Sequence, residues 1–194
     1  MSMRTEKDFL GEKQLPDSAY YGVQTLRGKE NFHITGIPMS TEPYFVKAFG
    51  YVKKAAALAN RDLGVLDATV ANAIAAACDR LIAGEMADQF VTDFIQGGAG
   101  TSTNMNANEV IANLALEQLG HQKGEYQYVN PNDHVNFGQS TNDVYPTAFR
   151  LALILRLGSY MDALRRLQAA FFAKAKEFDR VLKMGRTHLQ DAVP

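Results

Sequence analysis

The sequence predicts a mainly α-helical protein with short β segments near its start. After residue 41, apolar residues recur at steps of three and four over long stretches, which is the period of one face of an α-helix. Before residue 41, proline and glycine interrupt the chain, so we expect irregular structure with short extended pieces. Apolar residues make up 46% of the 194 residues and charged residues 21%, an ordinary composition for a globular chain with a sizeable core.

The first two helices are predicted between residues 41 and 84. Thr41 precedes Pro43, a pattern typical of an N-cap followed by proline in the first turn, and Gly64 is placed to end this helix. The second helix has Asp67 as its cap and Gly84 as its stop. Its apolar residues lie one turn apart at Val70, Ile74, Cys78 and Leu81.

A third helix is expected to begin near Asn104 and to end at Gly120, and the turn-rich residues 121–139 form a connection after it. The longest helical pattern follows, with apolar residues from Phe149 to Phe178 at steps that alternate as in a heptad. A face of this length needs partner helices, which indicates a bundle.

Charge and cysteine content exclude several functional classes. Lys plus Arg number 20 and Asp plus Glu number 21, so the chain lacks the positive excess of a nucleic-acid arm or an anionic-membrane surface. Cys78 is the single cysteine, which excludes an intrachain disulfide and a zinc site built on thiolates. No carboxylate or histidine group has metal-ligand spacing. The start of the sequence has no apolar signal region, and no apolar run reaches membrane-spanning length, so we expect a cytoplasmic protein.

Three segments share glycine together with short polar donors. They are residues 96–109 (QGGAGTSTNMNANE), residues 138–147 (GQSTNDVYPT) and residues 183–194 (KMGRTHLQDAVP). Backbone N–H groups at a helix start hold anions, and Ser, Thr and Asn add directed donors without adding charge. Each segment taken alone also fits helix capping, by residues 101–103 or 140–142, and His188 alone fits a structural histidine. Together they favour a small anionic substrate.

Nucleotide binding fits the glycine-rich segment less well. A Walker-type loop needs Lys before its Ser or Thr, and the sequence here reads Ala99-Gly100-Thr101. A dinucleotide fingerprint needs a strand before the glycines, whereas this region predicts helices.

Five motifs in order carry a resemblance that runs over all 194 residues. They are EKDFLGEKQLPDSAYYGVQTLRGKENF, QGGAGTSTNMNANEVIAN, GEYQYVNPNDHVN, QSTNDVYPT and MGRTHLQDAVP. The chain resembles the aspartase/fumarase superfamily, most closely its aspartase branch. The resemblance implies an N-terminal lyase domain over residues 1–139 and the truncated start of a central helical-bundle domain over residues 140–194. It also implies a homotetramer whose active sites each draw on three subunits.

For the aspartase branch the resemblance implies a carbon–nitrogen lyase that converts L-aspartate to fumarate and ammonia by reversible anti-elimination through an aci-carboxylate. Thr101, Ser140 and Thr141 then hold the β-carboxylate. Asn142 and His188 surround the amino group with Thr101, and Thr187 binds the α-carboxylate. The base is a serine on a loop absent from these residues, so we expect the 194-residue chain alone to be inactive. His188 is given a supporting role.

Two other functions stay open. A class II fumarate hydratase shares the fold, but fumarases usually read Ser-Gly-Thr-Gln where this chain reads Ala99-Gly100-Thr101-Ser102. A non-catalytic helical association domain is the alternative of another class. The resemblance implies no required cofactor, and some aspartases are activated by divalent magnesium.

Overall fold

A computed structural model describes residues 2–193, which divide into two compact units, one ending at Leu155 and the other beginning at Arg156. The first unit contains β1 (Met3–Asp8), β2 (Gly11–Pro16), α1 (Val23–Asn31), α2 (Pro43–Asp62), α3 (Ala68–Ala83) and α4 (Thr101–Gln118). Helix α5 (Thr141–Glu177) starts in this unit. The second unit holds the rest of α5, then β3 (Gly185–Thr187) and β4 (Gln190–Val193). The prediction of a mainly α-helical fold with short strands is confirmed.

The core of the first unit lies where α2, α3 and α4 pack together. Phe49, Ile74, Leu81 and Ile111 from these helices are fully buried. Helix α4 is covered on nearly all sides, so its polar side chains are buried along with its apolar ones. Burying a polar group is costly without a hydrogen bond, and several polar groups of α4, among them Asn106, Glu109 and Asn113, bind segments from the rest of the unit.

The predicted bounds of the first two helices of this core, α2 and α3, agree with the structure. Asp67 accepts hydrogen bonds from the N–H groups of Thr69 and Val70 at 2.8 and 3.1 Å, and Gly84 ends α3 with a φ of 96°. Helix α2 begins at Pro43 and ends at Asp62, but Thr41 does not cap it. The Thr41 hydroxyl donates to the carbonyl of Pro38 instead, at 2.9 Å.

Two expectations about helix starts were wrong. The first forty residues contain α1 as well as the β1–β2 hairpin, because the buried carboxylate of Glu109 accepts hydrogen bonds from the N–H groups of Gly22, Gln24 and Thr25. A cap from so distant a residue leaves no local signal. Helix α4 begins at Thr101, three residues before the predicted start, since left-handed Gly100 occupies its N-cap.

The connection at residues 121–139 is confirmed, and it contains one π-helical turn, Pro131–Val135. The predicted domain boundary at residues 139 and 140 is not tested by the division at Leu155 and stays a prediction. Within the described residues, no helix combines the length and apolar character needed to cross a bilayer.

The second unit exposes the predicted apolar face of α5. The large exposed residues on this face are Leu157, Tyr160, Leu164, Leu167 and Phe171, and Phe178 is exposed one residue after the helix. After the helix, β3 and β4 pair antiparallel around a two-residue turn of His188 and Leu189. Both turn residues have positive φ, 53° and 62°, as the tightest hairpin turns require.

Candidate active site

The glycine-rich segment forms a tight turn that opens α4. Gly98 and Gly100 have φ values of 73° and 90°, and a Cβ on Gly100 would collide with the ring of Tyr145. The side chain of Gln96 closes over this turn: its Oε1 accepts from the N–H of Thr103 at 2.8 Å, and its Nε2 donates to the Thr103 hydroxyl. The chain can make this turn only because glycine tolerates both the left-handed conformation and the close ring.

The start of α4 keeps free donors. The N–H of Thr103 is taken by Gln96, while the N–H groups of Thr101 and Ser102 have no hydrogen-bond partner among residues 2–193. Capping by the side chains of residues 101–103 is therefore wrong, because Gly100 supplies the cap position. An open helix start with exposed Thr101 is suited to an anion.

The second polar segment begins α5. Ser140 accepts a hydrogen bond at its Oγ from the N–H of Asn142 at 3.2 Å, so its capping role is confirmed. Thr141 is half-buried, and Ser140 and Asn142 are exposed. The three side chains thus lie at the N-terminal end of α5 and not in the core.

The structure brings these two segments together. A cleft of about 400 Å³ is lined on one side by Gly98, Ala99 and Gly100 and on the other by Asn142 and Tyr145. Behind it, a direct hydrogen bond joins the two helices, from Asn104 Nδ2 to Thr141 Oγ1 at 3.2 Å.

Thr101 lines a neighbouring cleft of about 550 Å³ together with Ser102 and the α1 residues Gln24, Arg27 and Gly28. The predicted site residues of the first unit therefore lie at the starts of two helices, α4 and α5, and Thr101 and Asn142 line different clefts.

Thr187 and His188 belong to the second unit. Thr187 is the last residue of β3 and His188 is the first residue of the turn, and both are exposed. A left-handed conformation costs a non-glycine residue about 1–2 kcal/mol, so the hairpin holds His188 in a conformation that it does not favour.

A buried lysine, which the sequence reasoning missed, lies under the start of α5. Lys53 of α2 is fully buried, and its Nζ donates to Asn136 Oδ1 at 2.7 Å and to Gln139 Oε1 at 3.0 Å. Burial lowers the pKa of Lys53 to about 7, and burial raises the pKa of the nearby Cys78 thiol to about 12. The only signal in the sequence was the position of Lys53 one turn after Phe49, on the apolar face of α2.

Two buried carboxylates hold the chain around the site. Burial raises the pKa of Glu109 to about 7, although hydrogen bonds from Thr25 and Gln24 act in the opposite direction. Burial also raises the pKa of Asp93, but hydrogen bonds from Ile95, Thr35 and Gly36 outweigh it and leave that pKa below its ordinary value. Both carboxylates accept from backbone N–H groups, which is a structural role. Among the described residues, no group of three potential metal ligands occurs.

Comparison with known proteins places this arrangement in a family. A family profile described as "Lyase" matches residues 11–194. The chain belongs to this lyase family. Over 192 residues it is 59% identical to an aspartate ammonia-lyase of Helicobacter pylori (strain J99), covering 99% of this chain and 41% of that protein. The chain thus spans about two fifths of the length of the curated relatives that it matches.

Among solved structures, two share the fold of this chain. A fumarate lyase:delta crystallin from Brucella melitensis matches with a TM-score of 0.87 and 56% identity, over 100% of this chain and 45% of that one. A class II fumarase from Schistosoma mansoni matches with a TM-score of 0.80 and 37% identity, over 100% of this chain and 40% of that one. The predicted membership of the aspartase/fumarase superfamily is confirmed.

Proposed function

We propose that the complete gene product is an aspartate ammonia-lyase, which converts L-aspartate reversibly to fumarate and ammonia. The observation that carries the proposal is the meeting of the glycine-rich turn of α4 with the start of α5 around one cleft. Neutral hydroxyl and amide groups lie in this region, and they can donate hydrogen bonds to the carboxylates of a small dicarboxylate substrate. The 59% identity to a protein named aspartate ammonia-lyase supports the choice of substrate.

The proposed elimination removes a proton from the β-carbon, so negative charge builds up on the β-carboxylate before ammonia leaves. Thr101, Ser140 and Thr141 hold this carboxylate. Donors aimed at the place where charge develops are the usual source of rate enhancement, and losing one typically costs about 3–4 kcal/mol of barrier. Neutral donors suit this task because their hydrogen bonds strengthen as the charge grows, so they favour the intermediate over the substrate.

The other site residues bind the ends of the substrate that do not gain charge. Asn142 and His188, with Thr101, surround the amino group, and Thr187 binds the α-carboxylate. His188 takes a supporting role at its turn, and a loop serine from outside these residues is the base. Because that serine is absent here, the 194-residue chain alone is inactive in this proposal.

The proposed assembly is a homotetramer in which three subunits contribute to each active site. The exposed apolar residues from Leu157 in α5 to Phe178, just after the helix, support it, because large exposed apolar patches mark sites of association. Residues 1–139 then form the N-terminal lyase domain, and residues 140–194 form the start of the central bundle.

No cofactor takes part in the proposed reaction, and divalent magnesium acts at most as an activator. The proposed compartment is the cytoplasm, since the one cysteine, Cys78, is free and buried rather than disulfide-bonded.

The test is the formation of fumarate, followed by its ultraviolet absorbance, with the purified complete gene product. We expect fumarate from L-aspartate and none from L-malate, with activity retained after treatment with a chelator. Fumarate from L-malate alone identifies a hydratase and overturns the choice of substrate. Failure with both substrates, by a correctly folded protein, supports the non-catalytic alternative.

A further inference from the structure

The hydrogen bonds behind Thr141 form a continuous network that connects Lys53, Asn136, Asn104 and Thr141. Asn136 Nδ2 donates to the carbonyl of Gln139 at 2.9 Å, so the Oδ1 of Asn136 faces the other way, towards Lys53 and Asn104. This oxygen accepts from Lys53 Nζ at 2.7 Å and from Asn104 Nδ2 at 3.1 Å. The amide orientation of Asn104 is thereby fixed, with its nitrogen facing Asn136.

The same nitrogen of Asn104 donates its second proton to Thr141 Oγ1 at 3.2 Å. A hydroxyl has one proton and two lone pairs, so accepting from Asn104 leaves the proton of Thr141 free to point elsewhere. In a site for a carboxylate, a free hydroxyl proton is the useful group. Thr141 therefore meets an incoming carboxylate as a donor.

Asn104 makes these bonds at a cost. Its side chain is 1% exposed, and its Oδ1 has no hydrogen-bond partner among the described residues. A buried acceptor without a partner destabilises a protein by about 1–3 kcal/mol. An amide kept in this position serves its donors rather than the folded state, since an apolar residue of similar size would avoid the cost.

Lys53 holds the far end of this network in place. It is a fully buried amine, and no carboxylate in the described part of the protein forms an ion pair with it. Its Nζ donates instead to the neutral amide oxygens of Asn136 and Gln139, which come shortly before Ser140 and Thr141 in the chain. Burial of an amine without a counter-charge is unfavourable, so the stability of the folded protein does not explain why a lysine occupies this position.

We propose that Asn104 is a positioning residue, supported by Asn136 and Lys53, that presents the Thr141 hydroxyl as a hydrogen-bond donor to the carboxylate of the substrate. This inference rests on the proposed function. None of the three touches the substrate in this arrangement: their effect passes through Thr141.

A double-mutant cycle on the complete gene product tests the coupling. Thr141→Val removes the hydroxyl and is expected to lower kcat/KM about 100-fold. Asn104→Ala leaves the hydroxyl but removes the donor that orients it, and we expect kcat to fall about tenfold while KM changes little. Since both substitutions break the same interaction, the double variant should be no slower than Thr141→Val alone.

Asn108→Ala is the matched control for the cycle. Asn108 lies one turn further along α4 and is fully buried. Within residues 2–193 its Oδ1 also has no hydrogen-bond partner, and its Nδ2 donates only to the sulfur of Met105. We expect Asn108→Ala and Asn104→Ala to lower the unfolding temperature by similar amounts, while only Asn104→Ala lowers kcat.

Lys53→Met and Lys54→Met form a second pair. Lys54 is the next residue of α2 and pairs with Asp79 at the surface. We expect Lys53→Met to lower kcat about tenfold, again without further loss in the Thr141→Val background, and Lys54→Met to leave kcat unchanged.

Losses that multiply in the Asn104 and Thr141 cycle would overturn the positioning role, as would normal kcat in Asn104→Ala. These results are distinct from a failure of the proposed function itself. In that case the unsubstituted protein forms no fumarate from L-aspartate, and both proposals fall together.

Discussion

The two units of the chain hold their polar segments in different ways. In the first unit, the donors around Thr141 rest on buried tertiary contacts such as Asn104 to Thr141 and Lys53 to Asn136. In the second unit, Thr187 and His188 are placed by a local hairpin, and the apolar side chains around α5 are exposed. In the first unit, contacts within the chain fix the side chains of the polar segment. In the second unit, contacts within the chain fix only the backbone of the turn. Neighbouring side chains can thus fix where the side chain of a site residue points, whereas a turn fixes only its backbone conformation.

The largest contrast is expected from removing one leucine from each unit. Leu81 in α3 is fully buried, whereas Leu167 in α5 is 53% exposed. Leu81→Ala should lower the free energy of unfolding by about 2–5 kcal/mol, because it leaves a cavity. Leu167→Ala should change it by less than about 0.5 kcal/mol. Urea denaturation of the 194-residue chain, followed by circular dichroism, measures both. Equal losses would mean that α5 is packed in solution as tightly as α3.

The glycine turn gives a smaller effect that is specific to the site. Gly100→Ala adds a left-handed alanine, at about 1–2 kcal/mol, and pushes a methyl group into the ring of Tyr145. Gly64→Ala is the matched control, since Gly64 has a φ of 71° but open space around it. The excess loss of stability in Gly100→Ala over Gly64→Ala, measured by the same denaturation, should be about 1–3 kcal/mol. No excess would show that the turn moves away from Tyr145 freely.

The smallest expected effect is a change of the free energy of unfolding with pH, which is caused by the buried amine of Lys53. The pKa of Lys53 falls from 10.5 to about 7 on burial, so above pH 7 the unfolded chain binds a proton that the folded chain lacks. The free energy of unfolding therefore rises with pH through this group, by up to about 1.4 kcal/mol per pH unit. The window is pH 7 to 9. At its lower limit Glu109, with its pKa raised to about 7, opposes the rise, and above it the buried Cys78 thiol, with its pKa raised from 9.0 to about 12, contributes the opposite slope.

Lys53→Met should remove that rise between pH 7 and 9, and Lys54→Met should keep it. Urea midpoints collected across this range compare the two variants directly. An unchanged slope in Lys53→Met would assign the pH dependence to another group and leave Lys53 charged in the folded protein.

Local signals in the sequence were sufficient for much of the fold. Asp67 and Gly84 marked both ends of α3, because an N-cap carboxylate and a left-handed glycine act on their own helix. The polar clusters at residues 96–109 and 138–147 were also recognisable, since capping alone does not account for so many short donors. Their meeting around one cleft agrees with a shared role.

Other features depend on contacts that no local sequence pattern marks. Helix α1 was not predicted because its cap, Glu109, comes from α4. The start of α4 was predicted three residues too late because Gln96 and Gly100 cap it in place of its own threonines. For Lys53, the sequence offers no signal beyond its position one turn after Phe49. Which of two adjacent lysines is buried depends on the loop at residues 136–139, and only packing reveals it.

The cap that Glu109 provides for α1 has a consequence for the order of folding during synthesis. Helix α1 has nine residues, too few to be stable alone, and the carboxylate that binds the N–H of Gly22 comes 87 residues later. At the usual rates of about 5–20 residues per second, that distance corresponds to a wait of roughly 4 to 17 seconds. The N-terminal segment therefore leaves the ribosome long before it can complete its helix, and it docks only when α4 arrives.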